Sequence, residues 1–158
     1  MEKCLKYKYI LTVIDLCTRY AFAIPLVNKS AESVCNAFSL IINESGRKCE
    51  KLWVDRGKEF YNKRFQQFLE DNDIILYSTK TGFHTTGNQE VEPKSWFAER
   101  LNLTLKRMME LQMTSQKLQG INKPLWIDVL LEIIAKYNNT IHSSIDMTPK
   151  EACVDEKW

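Results

Sequence analysis

The chain has 158 residues, with 22 Lys and Arg against 20 Asp and Glu and a formal net charge of +2. Its composition, 44% hydrophobic and 27% charged, is typical of one globular domain and excludes a disordered or low-complexity chain. No apolar run approaches the ~18 residues that span a bilayer, and the charged N-terminus is not a secretory signal, so we expect an intracellular protein without a membrane partner. Five cysteines without a CxxC pair predict reduced thiols rather than a zinc or disulfide scaffold.

Strands and helices alternate after an initial hairpin, which predicts an α/β fold with a mixed sheet. Apolar runs and apolar spacing predict strands near residues 8–15, 19–27, 51–55 and 73–77, and helices near 31–44, 61–71, 94–118 and 124–141. Ser30 is the expected N-cap of the first helix and Gly46 its end, and Pro124 is expected at the first position of the last helix. We expect a single domain over residues 1–152, followed by a tail at 153–158.

Asp55 is the first candidate for chemistry, because it follows a short apolar strand and precedes a glycine at position 57. Carboxylates at the carboxyl ends of strands are common ligand-binding groups in α/β sheets. The alternative is structural: an Asp at this place can also cap the N-terminus of the next helix.

Glu99 is the second candidate, on the long helix predicted for residues 94–118. Asn102 and Lys106 lie three and seven residues further on and share its helical face, while Leu101 and Leu105 point to the opposite side. A carboxylate, an amide and an ammonium group in a row suit a site that handles phosphate and metal. The alternative is an ordinary solvated helix face.

Three segments occur in a fixed order and together carry a family resemblance. They are Asp55-Arg-Gly-Lys-Glu-Phe, Glu99-Arg-Leu-Asn-Leu-Thr-Leu-Lys, and Tyr137-Asn-Asn-Thr-Ile-His-Ser-Ser-Ile-Asp-Met-Thr-Pro-Lys-Glu151. In this combination, nearly the whole chain resembles the catalytic core of retroviral and retrotransposon integrases. The opening Tyr7-Lys-Tyr-Ile-Leu-Thr-Val-Ile-Asp15 and the run Gly57-Lys-Glu-Phe-Tyr-Asn62 look closest to integrases of Maverick/Polinton-type elements and their domesticated relatives.

The resemblance implies a ribonuclease H-like mixed sheet flanked by helices, and DNA integration by DDE chemistry. In such enzymes two Mg²⁺ (or Mn²⁺) ions, held by three carboxylates, activate water or a DNA 3′-hydroxyl for attack on a phosphodiester. Asp55 and Glu99 match two of these catalytic, metal-binding carboxylates. The residues expected to contact DNA are Arg100, Asn102, Lys106 and Arg107. The resemblance also implies a homo-oligomer formed through helices, a nuclear location, and no small-molecule cofactor.

The sequence departs from the family pattern at two places. First, 43 residues separate Asp55 from Glu99, which is more than the family usually has. Glu90 and Glu92 fit the usual spacing better, but they belong to the polar loop at 78–93 and carry no matching motif. Second, the strand that ends at Asp15 resembles the second strand of the family sheet, whereas the first catalytic aspartate lies on the strand before it. We therefore expect Asp15 to cap a turn, and the chain to be truncated at its N-terminus and to lack the first, central strand.

Two functions remain open from the sequence. The first is enzymatic: a DNA strand transferase or nuclease that uses Asp55, Glu99 and a metal, with the two carboxylates on the order of 4–8 Å apart. The second is a catalytically dead or domesticated fragment that binds only nucleic acid or a partner protein. Because one acidic ligand is missing, we expect weakened Mg²⁺ binding, salt-sensitive DNA binding and no joining of DNA ends by this chain alone. A doubly wound nucleotide-binding protein is disfavoured, since no Gly-rich phosphate loop is present.

Overall fold

The computed structural model describes residues 6–46, 48–55, 57–78 and 95–154. The elements of this part of the chain are, in order, β1 (Tyr9–Ile14), β2 (Ala21–Leu26), α1 (Ala31–Ser45), β3 (Lys51–Val54), α2 (Lys63–Asp71), β4 (Ile75–Ser78), α3 (Ser95–Leu118), α4 (Trp126–Asn138) and α5 (Pro149–Ala152). They fall into two compact units. The first unit combines Met1–Pro25 with Phe97–Trp158, and the second unit is Leu26–Trp96.

The second unit is built around a parallel pair of strands. β3 and β4 are hydrogen-bonded in the register Lys51↔Ile75 to Val54↔Ser78, and α2 lies between them in the chain as the crossover that parallel strands require. A cluster of phenylalanines joins the two helices of this unit: the ring of Phe38 in α1 lies 5.9 Å from that of Phe65 and 6.1 Å from that of Phe68, both in α2. Burial of these aromatic rings stabilises the unit that positions Asp55.

The first unit begins with the β1–β2 hairpin, whose strands are hydrogen-bonded neighbours. The short connection requires the strands to run antiparallel, and the N–H of Asp15 donates to the carbonyl oxygen of Tyr20 across the turn at 2.9 Å. Arg19 occupies the left-handed region with φ 61°. An L-residue is disfavoured there by roughly 1–2 kcal/mol, so the tertiary contacts of Arg19 must hold the turn in this shape.

Helices α3 and α4 pack their apolar stripes against the hairpin. Ala21 of β2 is fully buried, and the helices contribute the remaining buried members of this cluster: Leu101, Leu105, Val129, Ile133 and Tyr137. Within each helix these residues are four apart, a spacing expected for helices that bury one face.

The predicted elements agree with the structure except at the last helix. The N-cap of α4 is Leu125 and the helix begins at Trp126, so the prediction that Pro124 occupies the first helical position is wrong. The short helix α5 was not predicted from the sequence. The described strands form two two-stranded sheets, one antiparallel and one parallel, as expected for a mixed α/β fold. Among the described helices, none is both long and apolar enough to cross a membrane.

Candidate active site and DNA-binding surface

Asp55 stands directly after β3, where the backbone leaves the parallel sheet. Its side chain is exposed, and its Oδ1 accepts a hydrogen bond from the backbone N–H of Gly57 at 3.0 Å. Asp55 is not the cap of the following helix. That cap is Asn62, whose Oδ1 accepts from the N–H of Phe65 at 2.9 Å. The helix-capping alternative is therefore wrong, and the carboxylate of Asp55, with several lone pairs, has oxygen capacity left for a cation.

The absence of a side chain at Gly57 leaves room for two carboxyl groups that lie close to the backbone. A Cβ atom at this position would lie 2.6 Å from the carboxyl group of Glu59 and 3.0 Å from Oδ1 of Asp55. Any side chain at position 57 would push one of these groups aside. The Asp-x-Gly spacing thus sets the orientation of the Asp55 carboxylate through both a hydrogen bond and the absence of a side chain.

Glu99 lies in the N-terminal part of α3, and the two sides of this helix differ as predicted. Leu101 and Leu105 are each only 2% exposed, whereas Glu99, Asn102 and Lys106 are exposed. The buried leucines hold the helix against the hairpin. The polar row is thereby displayed on a rigid element, which is the support that a binding constellation needs.

Asn102 has a second role that the sequence did not indicate. Its Oδ1 accepts a hydrogen bond from the hydroxyl group of Thr12 at 2.7 Å, which ties α3 to β1. The amide NH₂ of Asn102 has two donors besides this acceptor. The only signal for Thr12 in the sequence is a hydroxyl residue within an otherwise apolar strand.

Arg19 and Arg100 place positive charge near the start of α3. The guanidinium of Arg19 lies over the ring of Phe97, 4.3 Å from its centre, and its Nε donates to Oγ of Ser144 at 3.4 Å. Burial raises the pKa of Tyr137, and the nearby charges of Arg19 and Arg100 offset part of this increase. Arg107 is exposed on the same helix. No motif in the sequence marks Arg19, because it is a turn residue with ordinary neighbours.

Asp15 caps the hairpin turn, as predicted. One carboxylate oxygen accepts from the N–H of Cys17 and the other from the hydroxyl of Thr18, both at 2.9 Å. An Asp that binds the backbone two residues ahead forms an Asx turn, which is a structural use of the carboxylate. Both oxygens are thus already engaged within the turn.

The C-terminal segment of the motif set is structural in the first unit. Asn138 is buried and makes two hydrogen bonds with Ala21: the N–H of Ala21 donates to Oδ1, and Nδ2 donates to the carbonyl oxygen of Ala21, each at 2.9 Å. At the start of α5, Thr148 and Glu151 form a capping box. Two hydrogen bonds from the Thr148 backbone and hydroxyl lower the pKa of Glu151.

The two candidate catalytic carboxylates belong to different units, Asp55 to the second and Glu99 to the first. Their expected separation stays a prediction. Glu90 and Glu92 lie outside the described residues. Within the part of the chain that the structure describes, no group of three or more His, Cys, Asp or Glu side chains is arranged to hold a metal ion. The carboxylates of Asp55 and Glu99 are both exposed, and a carboxylate oxygen is the hard ligand that Mg²⁺ prefers.

Fold and motifs together define an integrase-type α/β domain. The Integrase core domain family matches residues 2–83, more than half of the chain. The chain therefore belongs to this family. Asp55 lies inside the matched segment, and Glu99 lies beyond it.

Individual relatives come from mobile elements. The chain is 30% identical over 141 residues to a transposon-derived protein of Caenorhabditis elegans, a match that covers 89% of this chain and 44% of that protein. It is 26% identical over 127 residues to a transposon Ty1 Gag-Pol polyprotein of Saccharomyces cerevisiae, covering 77% of this chain and 7% of the polyprotein. The chain thus spans less than half the length of these curated relatives. The finer resemblance to Maverick/Polinton-type elements stays a prediction.

The solved structure of the HTLV-2 integrase catalytic core domain in complex with magnesium, in its trimeric form, has the same fold. It is 16% identical to the chain with a TM-score of 0.70, and the match covers 92% of this chain and 88% of that one. The predicted ribonuclease H-like α/β class is therefore confirmed.

Proposed function

We propose that this chain is the catalytic core of a mobile-element integrase, with residues 1–152 as one domain whose family chemistry is the processing and joining of DNA ends. The observation that carries the proposal is the Asp55 carboxylate at the carboxyl end of β3, held by the N–H of Gly57. Membership of the integrase core family supports the same function. The motif around Glu99 resembles that of the family glutamate and agrees with it. The alternative of a dead or domesticated binding fragment is not favoured by these similarities.

Asp55 and Glu99 are the proposed ligands of Mg²⁺. When bound, this ion supplies the charge that generates an oxygen nucleophile at neutral pH and stabilises the negative charge developing at the phosphodiester. Asp55 would present oxygen atoms from a fixed turn, and Glu99 from a helix fixed by buried leucines. Because only two such carboxylates match the family motif, we expect weak Mg²⁺ binding and a need for a high concentration of Mg²⁺ or Mn²⁺.

Arg100, Asn102, Lys106 and Arg107 are the proposed DNA contacts. All four are exposed on α3, and three of them carry a permanent positive charge. The attraction between these side chains and DNA phosphates depends on charge and not on the base sequence. We therefore expect DNA binding that is independent of base sequence and weakened by salt. Each lysine or arginine removed should lower the slope of log K against log salt by about 1.

The experiment is nicking of a duplex oligonucleotide by the purified chain at a high concentration of Mg²⁺ or Mn²⁺. Asp55→Asn and Glu99→Gln should abolish cleavage but leave duplex binding intact. Matched controls are Asp73→Asn and Glu44→Gln, which remove exposed carboxylates elsewhere and should cleave as the unmodified chain does. Cleavage that survives in Asp55→Asn would refute the proposed site, and binding that is insensitive to Lys106→Ala and Arg107→Ala would refute the proposed DNA surface.

We also propose a homo-oligomer formed through helices, and a nuclear location because chromosomal DNA would be the target. Leu131 of α4 is 79% exposed and Leu111 of α3 is 64% exposed, which is unusual for large apolar side chains on helices. Sedimentation of the chain and of Leu131→Glu tests the oligomer. A monomeric unmodified chain would contradict it.

A further inference from the structure

A groove of about 410 Å³ lies on the first unit and is lined by the start of β1 with the residue before it, by the middle of α3 and by the first residue of α4. Its charged lining is Lys8, Lys106 and Glu110, and all three side chains are exposed. Two ammonium groups against one carboxylate leave a net positive charge. Anionic ligands are therefore favoured here.

The position of the groove follows from the hydrogen bond between Thr12 and Asn102. Lys8 lies directly before β1, four residues before Thr12. Lys106 lies one helical turn after Asn102 on α3. Strand and helix thus each bring one lysine to the same groove, and Lys106 belongs to the proposed DNA surface that continues into it.

The uncharged lining is aromatic and apolar. Tyr9 is 39% exposed, and Trp126, Met109 and Met113 are half-buried. Cations beside exposed aromatic rings are the combination that binds single-stranded nucleic acid, since phosphates meet the cations and bases stack on the rings. The volume is that of a small-molecule pocket, so it accommodates individual nucleotides and is too small for a double helix.

We propose that this groove binds unpaired nucleotides at the end of a DNA substrate, with phosphates against Lys8 and Lys106 and a base against Tyr9. The proposal rests on the DNA-directed function proposed above and extends it to the form of the DNA. A frayed or overhanging end would be held in the groove while its duplex part lies on α3. The chain would then prefer tailed ends to blunt ends.

The test uses three fluorescent probes: a single-stranded oligothymidine, a blunt duplex, and the same duplex with an unpaired tail. The unmodified chain should bind the tailed duplex more tightly than the blunt one. Tyr9→Leu should weaken binding of the single strand and the tailed duplex by about fivefold to tenfold, because stacking is lost, and Tyr9→Phe should restore it. Lys8→Ala should lower the salt slope by about 1 for these two probes only.

Lys117→Ala is the matched control, since it removes an exposed lysine from α3 outside the groove. Equal affinity for tailed and blunt duplexes, or no effect of Tyr9→Leu and Lys8→Ala, would overturn the groove proposal while leaving the proposed function intact. In another outcome, Tyr9→Leu and Lys8→Ala lose single-strand binding while Lys106→Ala and Arg107→Ala leave duplex binding unchanged. That result would support the groove and refute the proposed duplex surface. Absence of single-strand binding by the unmodified chain would also overturn the groove.

Discussion

Replacement of Asn138 by alanine should destabilise the first unit more than any other polar substitution at the end of α4. The side chain is 3% exposed and satisfies both the N–H and the carbonyl oxygen of Ala21, which is itself fully buried. Two lost hydrogen bonds are worth about 1–3 kcal/mol in net terms, and a buried backbone group left without a partner costs about 1–3 kcal/mol. We therefore expect Asn138→Ala to lower the free energy of unfolding by about 2–4 kcal/mol.

The neighbouring Asn139→Ala is the matched control. Asn139 has the same chemistry but is exposed, and its Nδ2 donates only to the carbonyl oxygen of Ala135 in the preceding turn. Its loss should cost less than about 1 kcal/mol. Urea unfolding followed by circular dichroism measures both values, with unchanged m-values as the check that the unfolding transition is the same.

Asn138→Asp sharpens the test because it keeps the acceptor for the N–H of Ala21 and loses the donor to its carbonyl oxygen. A buried carboxylate facing a carbonyl oxygen is unfavourable, whereas the protonated acid can donate. The folded-state pKa of the introduced group should therefore be raised, and this variant should regain stability relative to the unmodified chain as the pH falls. A cost for Asn138→Ala no larger than that for Asn139→Ala would refute the reasoning.

Three further predictions concern local contacts. Gly57→Ala should reduce metal-dependent cleavage without loss of duplex binding, since a Cβ atom would displace the Asp55 carboxylate; unchanged cleavage would contradict this. Asn62→Ala should lower the free energy of unfolding by about 1 kcal/mol, because α2 loses its N-cap, and urea unfolding measures this change. Asn62→Asp should lower the free energy of unfolding by less, because Asp is also a good N-cap. The pKa of Glu151 is lowered in the folded chain, so this carboxylate stabilises the fold at pH values above its ordinary pKa of 4.5, and the contribution is lost as the pH falls through the folded pKa. Glu151→Gln should therefore make the free energy of unfolding less dependent on pH in the acid range. An unchanged pH dependence would argue against the capping box.

The alternation of elements and the polar row on α3 were predictable because both depend on local spacing. The apolar stripe through Leu101 and Leu105 specifies which side of α3 is buried, and Ser30 and Gly46 define the ends of α1 through capping chemistry. The turn role of Asp15 was also predictable, since an Asx turn needs only neighbours within three residues. Pro124 misled the prediction of the start of α4, because a proline can equally precede the N-cap.

Tertiary structure alone decided the contacts between residues far apart in the chain. Asn138 hydrogen-bonds Ala21, 117 residues away, and Asn102 hydrogen-bonds Thr12, 90 residues away. No local sequence pattern predicts either partner. The groove that holds Lys8 beside Lys106 has the same origin. The sequence determines which residues are polar, capped or buried because those properties follow from short-range periodicity, whereas the partner of a side chain depends on how the packed core brings distant segments together.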